Sequence, residues 1–239
     1  MLILNLGVPR SGTVMVFNIF REILTRKNVS FRHVNTNLRD TDRFLASFDY
    51  GENVLMHSHS MSSLVQQALH DSRTFGFFNY RDPRDVLVSL MKLHEHEFDH
   101  TLDFVTKSFK GFQDAVKLRQ RVMFVPYEHL IVAPDVFIFQ LAHRLGIFLD
   151  LVTIAAVREA TSREAHQKVM SEVREEAIDV RHVRGAGRPV VESTKHLIND
   201  RHMQSGESGR WRQELSPAQQ KKANERFEPI LRRLGYSAA

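Results

Sequence analysis

The 239-residue chain contains no cysteine, which excludes disulfides, thiol nucleophiles and Cys-ligated zinc or iron. That lack suits a reducing compartment, and a cytoplasmic location is the expectation. Long apolar runs are also missing. The longest apolar stretches, such as 122–126 and 145–149, are far short of the roughly 20 residues that cross a bilayer, so no membrane span is expected. The N-terminal MLILNLGVPRSG has no basic leader, and its Gly, Pro and Arg arrive too early for a signal peptide, so it reads as a first strand. No repeat or low-complexity tract is present. With 42% hydrophobic and 26% charged residues, the composition excludes a disordered or fibrous chain and suits one medium core, a single domain over residues 1–239.

Short β-branched or aromatic runs alternate with helical patterns. Strands are expected at Leu2–Leu6, Phe31–Val34, Asn53–His57, Thr74–Tyr80 and Val122–Val125. Helices are expected from Thr13 to about Lys27, at 61–71, 83–93, 101–120 and 133–146, and from Pro217 to Leu234. Such alternation implies an α/β fold with a mainly parallel sheet and helices on both faces. Ligands of these sheets bind beyond the carboxyl ends of the strands, which singles out the loops after Leu6, His57, Tyr80 and Val125. Between Val180 and Arg212 the periodicity is lost. That segment carries 7 basic and 3 acidic residues, most of the chain's +5 surplus, and is expected to be a flexible, basic loop.

Gly7-Val8-Pro9-Arg10-Ser11-Gly12-Thr13-Val14 joins a strand to a helix, where backbone N–H groups and the helix dipole hold phosphate. Both Walker A glycines fit, but Thr13 replaces the lysine and Val14 the magnesium-binding hydroxyl. A phosphate without a bridging metal suits the loop better, with Arg10 as its cation. A second capped helix start lies at Tyr80-Arg81-Asp82-Pro83-Arg84-Asp85. Asp82 is a natural N-cap, Pro83 suits the first turn, and Asp85 is placed to close a capping box. Arg81 and Ser89 can then converge on one anion. At the end of another strand, His57 and His59 share a side by period-two geometry, and either can act as a base near neutral pH.

Together these segments resemble the sulfotransferases that use 3'-phosphoadenosine 5'-phosphosulfate (PAPS). The 5'-phosphate loop of that family reads P-K-S-G-T-T or P-R-S-G-T-T, similar to Pro9-Arg10-Ser11-Gly12-Thr13. Val14 stands in place of its second hydroxyl, and Met15 where cytosolic members often carry an adenine-stacking tryptophan. The resemblance implies that residues 9–14 hold the 5'-phosphate, and that Arg81 and Ser89, eight apart as in the family, bind the 3'-phosphate. It places His59 at the base position of the family's K-T-H, with His57 in place of the lysine. Tyr127-Glu128 resembles the Y-E-D segment and Thr161-Ser162 the T-S pair, both of which meet adenine. Gly206-Glu207-Ser208-Gly209-Arg210-Trp211 is similar to the G-x-x-G-x-W stretch that closes over the cofactor. Gln204-Ser205 replaces the usual R-K there, with Arg201, Arg210 or Arg212 as substitutes.

What the resemblance implies is a three-layer αβα sulfotransferase. It would move a sulfuryl group from PAPS to a hydroxyl or amine of a small or glycan-like acceptor by in-line displacement, without metal. Three other readings compete. His96-Glu97-Phe98-Asp99-His100 satisfies the zincin pattern H-E-x-x-H, which would make the chain a zinc hydrolase. A PAPS-binding pseudoenzyme would keep the phosphate loops and lack turnover. Nucleic-acid binding is not expected, since the basic surplus lacks aromatic interleaving and any known motif.

Overall fold

The computed structural model describes residues 1–36, 38–94, 96–175, 180–181, 190–193, 196–199 and 206–237. Five strands form the central sheet: β1 (Leu2–Gly7), β2 (Arg32–Thr36), β3 (Val54–Ser58), β4 (Thr74–Tyr80) and β5 (Val122–Pro126). Their order is β2-β3-β1-β4-β5, and every neighbouring pair is parallel. Parallel strands need crossover connections, here α1 (Thr13–Arg26), α2 (Leu38–Ser47), α3 (Ser63–Ala68), then α4 (Pro83–His94), α5 (Phe98–Ser108) and α6 (Lys110–Lys117). After β5 come α7 (Tyr127–Val132), α8 (Pro134–Arg144), α9 (Leu151–Ala160) and α10 (Arg163–Glu175). A small antiparallel sheet, β6 (Val180–Arg181), β7 (Val190–Ser193) and β8 (Ile198–Asn199), precedes α11 (Trp211–Glu214) and α12 (Pro217–Leu234).

Period two divides the sheet between two cores. Leu2, Leu4 and Leu6, with Met56 and Phe78, pack against Val86, Val105, Phe109 and Phe227 from α4, α5, the α5–α6 junction and α12. Ile3, Leu55, Phe77 and Val125 face Phe17, Phe20, Ile23 and Leu141 from α1 and α8 on the other side. Phe20 and Phe77 meet at 4.5 Å between ring centroids, and full burial of each such side chain contributes about 1.5–3 kcal/mol. The αβα layering follows, and it fixes β1, at the centre, by neighbours on both sides. No helix among the described residues is long and apolar enough to cross a membrane.

The expected strands and the terminal helix are present within a residue or two. Three differences have local causes. The helix expected at 101–120 bends at the fully buried Phe109, giving α5 and α6. Asp150 and Ser162 accept from the N–H groups of Thr153 and Ala165 (2.7 and 3.1 Å), starting α9 and α10 where no element was expected. Within 180–212 lie three strands of two to four residues, too short to leave a periodic signal.

Candidate active site

A cleft of about 650 Å³ opens at the carboxyl ends of β1, β3 and β4. The loop after β1 forms its floor. A Cβ on Gly7 would lie 2.6 Å from the Asn79 carbonyl, so only glycine lets β1 run so close to β4 there. Arg10 and Gly12 both take left-handed backbone, with φ of 65° and 82°. Ser11 folds the loop on itself: its hydroxyl donates to the carbonyls of Val8 (2.6 Å) and Asn79 (3.0 Å), and its N–H to Val8 (3.3 Å). Two buried asparagines unremarked in the sequence support this turn. Asn5 donates to the Thr13 carbonyl (2.7 Å), and Asn79 donates to Asn5 Oδ1 (2.7 Å) and the Leu6 carbonyl (2.6 Å). Gly12 heads α1 with no side-chain cap and no acidic residue in the first turn, so the positive end of the helix faces the loop uncompensated.

From the end of β4 a second set of groups converges on this loop. Arg10 Nε donates to Ser89 Oγ at 2.9 Å, joining segments 79 residues apart. Burial, then repulsion from Arg81, lowers the Arg10 pKa to about 10, so the two guanidiniums feel each other. Arg81 is 7% exposed. It donates to the Glu207 carbonyl (2.6 Å), lies 3.7 Å from Asp85 Oδ2 and stacks 4.4 Å from the Tyr127 ring centre. Its Nε is buried with no hydrogen-bond partner.

The helix start differs from the expected capping box. Asp82 does accept from Arg84 N (2.9 Å), but its own N–H donates to Glu128 Oε1 (3.0 Å), and Asp85 turns elsewhere. The Asp85 carboxylate accepts from Gly209 N (2.7 Å) and Trp211 N (3.2 Å). An aspartate is one methylene shorter than the Glu or Gln that closes such boxes, and Glu128, held in turn by the Tyr236 hydroxyl (2.6 Å), supplies the missing acceptor. Arg84 is wholly buried and structural. It pairs with both Asp82 oxygens (2.9 and 2.7 Å), donates to Asn224 (2.9 Å) and stacks 3.9 Å from the Trp211 ring.

On the opposite side of β1, His57 and His59 both line the cleft, their ring centroids 5.0 Å apart at 82°. His59 Nδ1 is 2.7 Å from the Gly7 carbonyl. A carbonyl only accepts, so Nδ1 carries the hydrogen and Nε2 keeps its lone pair. The ring is open to the cleft and walled by protein elsewhere, and this desolvation lowers its pKa against the opposing pull of the Gly7 bond. His57, 7% exposed, sets Nδ1 3.0 Å from Asn35 Oδ1, across the β2–β3 register.

The remaining candidates border the same cleft. Pro9, Thr13, Val14, Tyr127, Thr161, Ser162, Gly206 and Arg210 all line it. The Tyr127 hydroxyl donates to the Gly206 carbonyl (2.8 Å), and burial raises its pKa. Thr161 donates to Val157 O (2.8 Å) and Ser162 caps α10, so both hydroxyls already serve helix ends. Arg210 pairs with Glu214. Arg201, Gln204 and Ser205 lie outside the described residues. Val88, Leu90, Leu93 and Phe104 form an apolar wall. His166 also lines the cleft without having been singled out, its pKa pushed down to about 4 by burial and then by Arg21.

The zincin pattern is not realised. Glu97 is the N-cap of α5 (φ −59°, ψ 147°), so His96 precedes the helix that contains His100; their rings meet edge to face with centroids 5.0 Å apart, but not as two residues one turn apart on a helix. Among the described residues no group of three or more ligating side chains is placed to hold a metal.

No protein of curated function is significantly similar in sequence. Among solved structures, mouse sulfotransferase SULT7A1 complexed with PAP is 15% identical with a TM-score of 0.68, over 97% of this chain and 84% of that one. Retinol dehydratase in a complex with retinol and PAP is 19% identical, TM-score 0.69, over 96% and 81%. The sulfotransferase domain from the curacin biosynthetic pathway is 12% identical, TM-score 0.57, over 99% and 98%. At such identities they establish the shared fold. The sequence profile of the sulfotransferase domain matches residues 2–235, nearly the whole chain, and the protein therefore belongs to the sulfotransferase family.

Proposed function

We propose that this chain, working as one domain, transfers a sulfuryl group from PAPS to a hydroxyl of a small-molecule acceptor, with His59 as the base and no metal. The observation that carries the reading is the Arg10–Ser89 hydrogen bond at 2.9 Å. It brings the two anion motifs onto one cleft, where Arg81 repels Arg10. Paired cations, an unpartnered buried Arg81 Nε and an uncapped helix N-terminus fit a doubly phosphorylated nucleotide. Such groups repel or stay unsatisfied until an anion arrives.

PAPS supplies an electrophilic sulfuryl group on a phosphate leaving group. Arg81 and Ser89 would hold the 3'-phosphate. Arg10 and the N–H groups of Gly12 and Thr13 would hold the 5'-phosphate and stabilise the charge that develops there. Tyr127 and Gly206 would flank the nucleoside, whereas Thr161 and Ser162, whose hydroxyls serve helix ends, line the cleft wall. Nε2 of His59 would accept the proton of the attacking hydroxyl, its tautomer fixed by Gly7. The wall of Val88, Leu90, Leu93 and Phe104 favours an acceptor with an apolar body, like the retinol bound to retinol dehydratase.

Thermal shift with 3',5'-bisphosphoadenosine (PAP), with Mg-ATP and with EDTA tests the cofactor: stabilisation by PAP alone is expected, and stabilisation by Mg-ATP alone contradicts it. Transfer of label from [35S]PAPS into a small-molecule extract separates an enzyme from a binding module, since a pseudoenzyme would bind PAP and label nothing.

A further inference from the structure

We infer that Asp85 is the positioning residue on which the anion site is assembled, a single buried carboxylate that aims Arg81 and anchors segment 206–211 at once; this rests on the PAPS reading above. Asp85 sits on the first turn of α4, 2% exposed. Oδ2 accepts from Gly209 N (2.7 Å) and faces Arg81 Nη2 at 3.7 Å, while Oδ1 accepts from Trp211 N (3.2 Å). Arg81 in turn donates to the carbonyl of Glu207 in the same segment (2.6 Å). Three strands of contact thus close a ring: α4 to the segment through Asp85, the segment to Arg81 through Glu207, and Arg81 back to Asp85.

Electrostatics makes this placement odd unless it positions something. A carboxylate beside a site that takes anions opposes their binding, since like charges repel over this range even when partly screened. Desolvation first, and then the neighbouring Asp82, further disfavour its charge and raise its pKa, and the two N–H donors with Arg81 offset only part of that. The ring of bonds explains why a carboxylate is present. Without it the guanidinium of Arg81 keeps only the Glu207 carbonyl and the Tyr127 ring, and the turn Gly206–Arg210, with two left-handed glycines (φ 72° and 82°), loses its hydrogen bond to α4.

The sign of one substitution separates the two roles. If Asp85 acts only as a nearby negative charge, Asp85→Asn tightens PAP binding. Positioning predicts the reverse: at least tenfold weaker PAP binding by calorimetry, with the Gly209 and Trp211 amides exchanging at least tenfold faster in the free protein. Unchanged or tighter PAP binding overturns the inference, as does unchanged exchange at both amides. Should the variant fail to fold, exchange on the native protein decides. Those two amides must be protected before ligand is added and at least several-fold more protected with PAP; exchange at the intrinsic rate in the free protein overturns the proposal. Failure of the native protein to bind PAP at all refutes the cofactor reading instead, and the exchange of the free protein still reports on Asp85.

Discussion

Replacing His59 by alanine removes the proposed base while leaving the anion-binding side chains Arg10, Arg81 and Ser89 in place. A positioned general base contributes about 10²–10⁴ in rate, equivalent to roughly 3–5 kcal/mol of barrier. The structure favours the upper part of that range. Nδ1–H is fixed on the Gly7 carbonyl at 2.7 Å, so the ring enters the reaction with its accepting nitrogen already defined, and His57, tied to Asn35, is held in a different orientation. The pH dependence carries a sign. Desolvation lowers the His59 pKa below its ordinary value near 6.5, and the neutral form is the active one. Activity should therefore persist below pH 6.5 and decline only as pH falls through the lowered value. Initial rates with [35S]PAPS and the acceptor found in labelled extract, from pH 4.5 to 8.5, measure both effects. His59→Ala should lose at least 100-fold in kcat/KM with PAP affinity nearly unchanged. A loss under tenfold, or an acid limb centred above pH 6.5 in the native protein, refutes the assignment of His59.

Arg81→Ala should weaken PAP binding by about 2–4 kcal/mol, roughly 30- to 700-fold by calorimetry, because a buried charge-assisted contact is lost together with the repulsion from Arg10 that an anion relieves. Gly12→Ala forces a Cβ into left-handed backbone 2.7 Å from Tyr127 Cδ2, at about 1–3 kcal/mol, so PAP affinity and melting temperature should both fall; a fully stable variant argues against the loop geometry. Arg84→Ala leaves Asp82 buried and unpaired at about 3–5 kcal/mol, and differential scanning calorimetry should show Tm lower by about 6–20 °C. Prolonged dialysis against EDTA should leave transfer activity unchanged, and activity restored only by added divalent metal would contradict the metal-free mechanism.

Much of the layout was legible because chemistry and backbone agree locally. The run Leu2–Leu6 ending in Gly7, and Pro83 after Asp82, mark a strand end and a helix start on their own, so the loops that line the cleft were found from residue type. What escaped notice depends on contacts between distant segments. Nothing local tells Asp85 that its donors are the N–H groups of Gly209 and Trp211, 124 and 126 residues away. The spacing instead suggested a capping box that an aspartate is too short to close. Asn5 and Asn79 are single polar residues inside apolar strands, and their pairing needs the β1–β4 register. Helix α9 was hidden for another reason: Leu151 and Val152 are 83% and 80% exposed, so its apolar residues do not trace one buried stripe. The H-E-x-x-H string implies a helix running through all five residues, whereas α5 begins only after its N-cap Glu97, a boundary that the spacing alone does not reveal.

Calorimetric titration of the native protein with PAP and with adenosine 5'-monophosphate, both in EDTA, tests most directly whether Arg10, Arg81 and Ser89 form one cradle for a nucleotide phosphorylated at two positions. The account predicts that PAP binds at least about 30-fold tighter, the contribution of roughly 2 kcal/mol from the second phosphate. Equal affinity for the two nucleotides would contradict it.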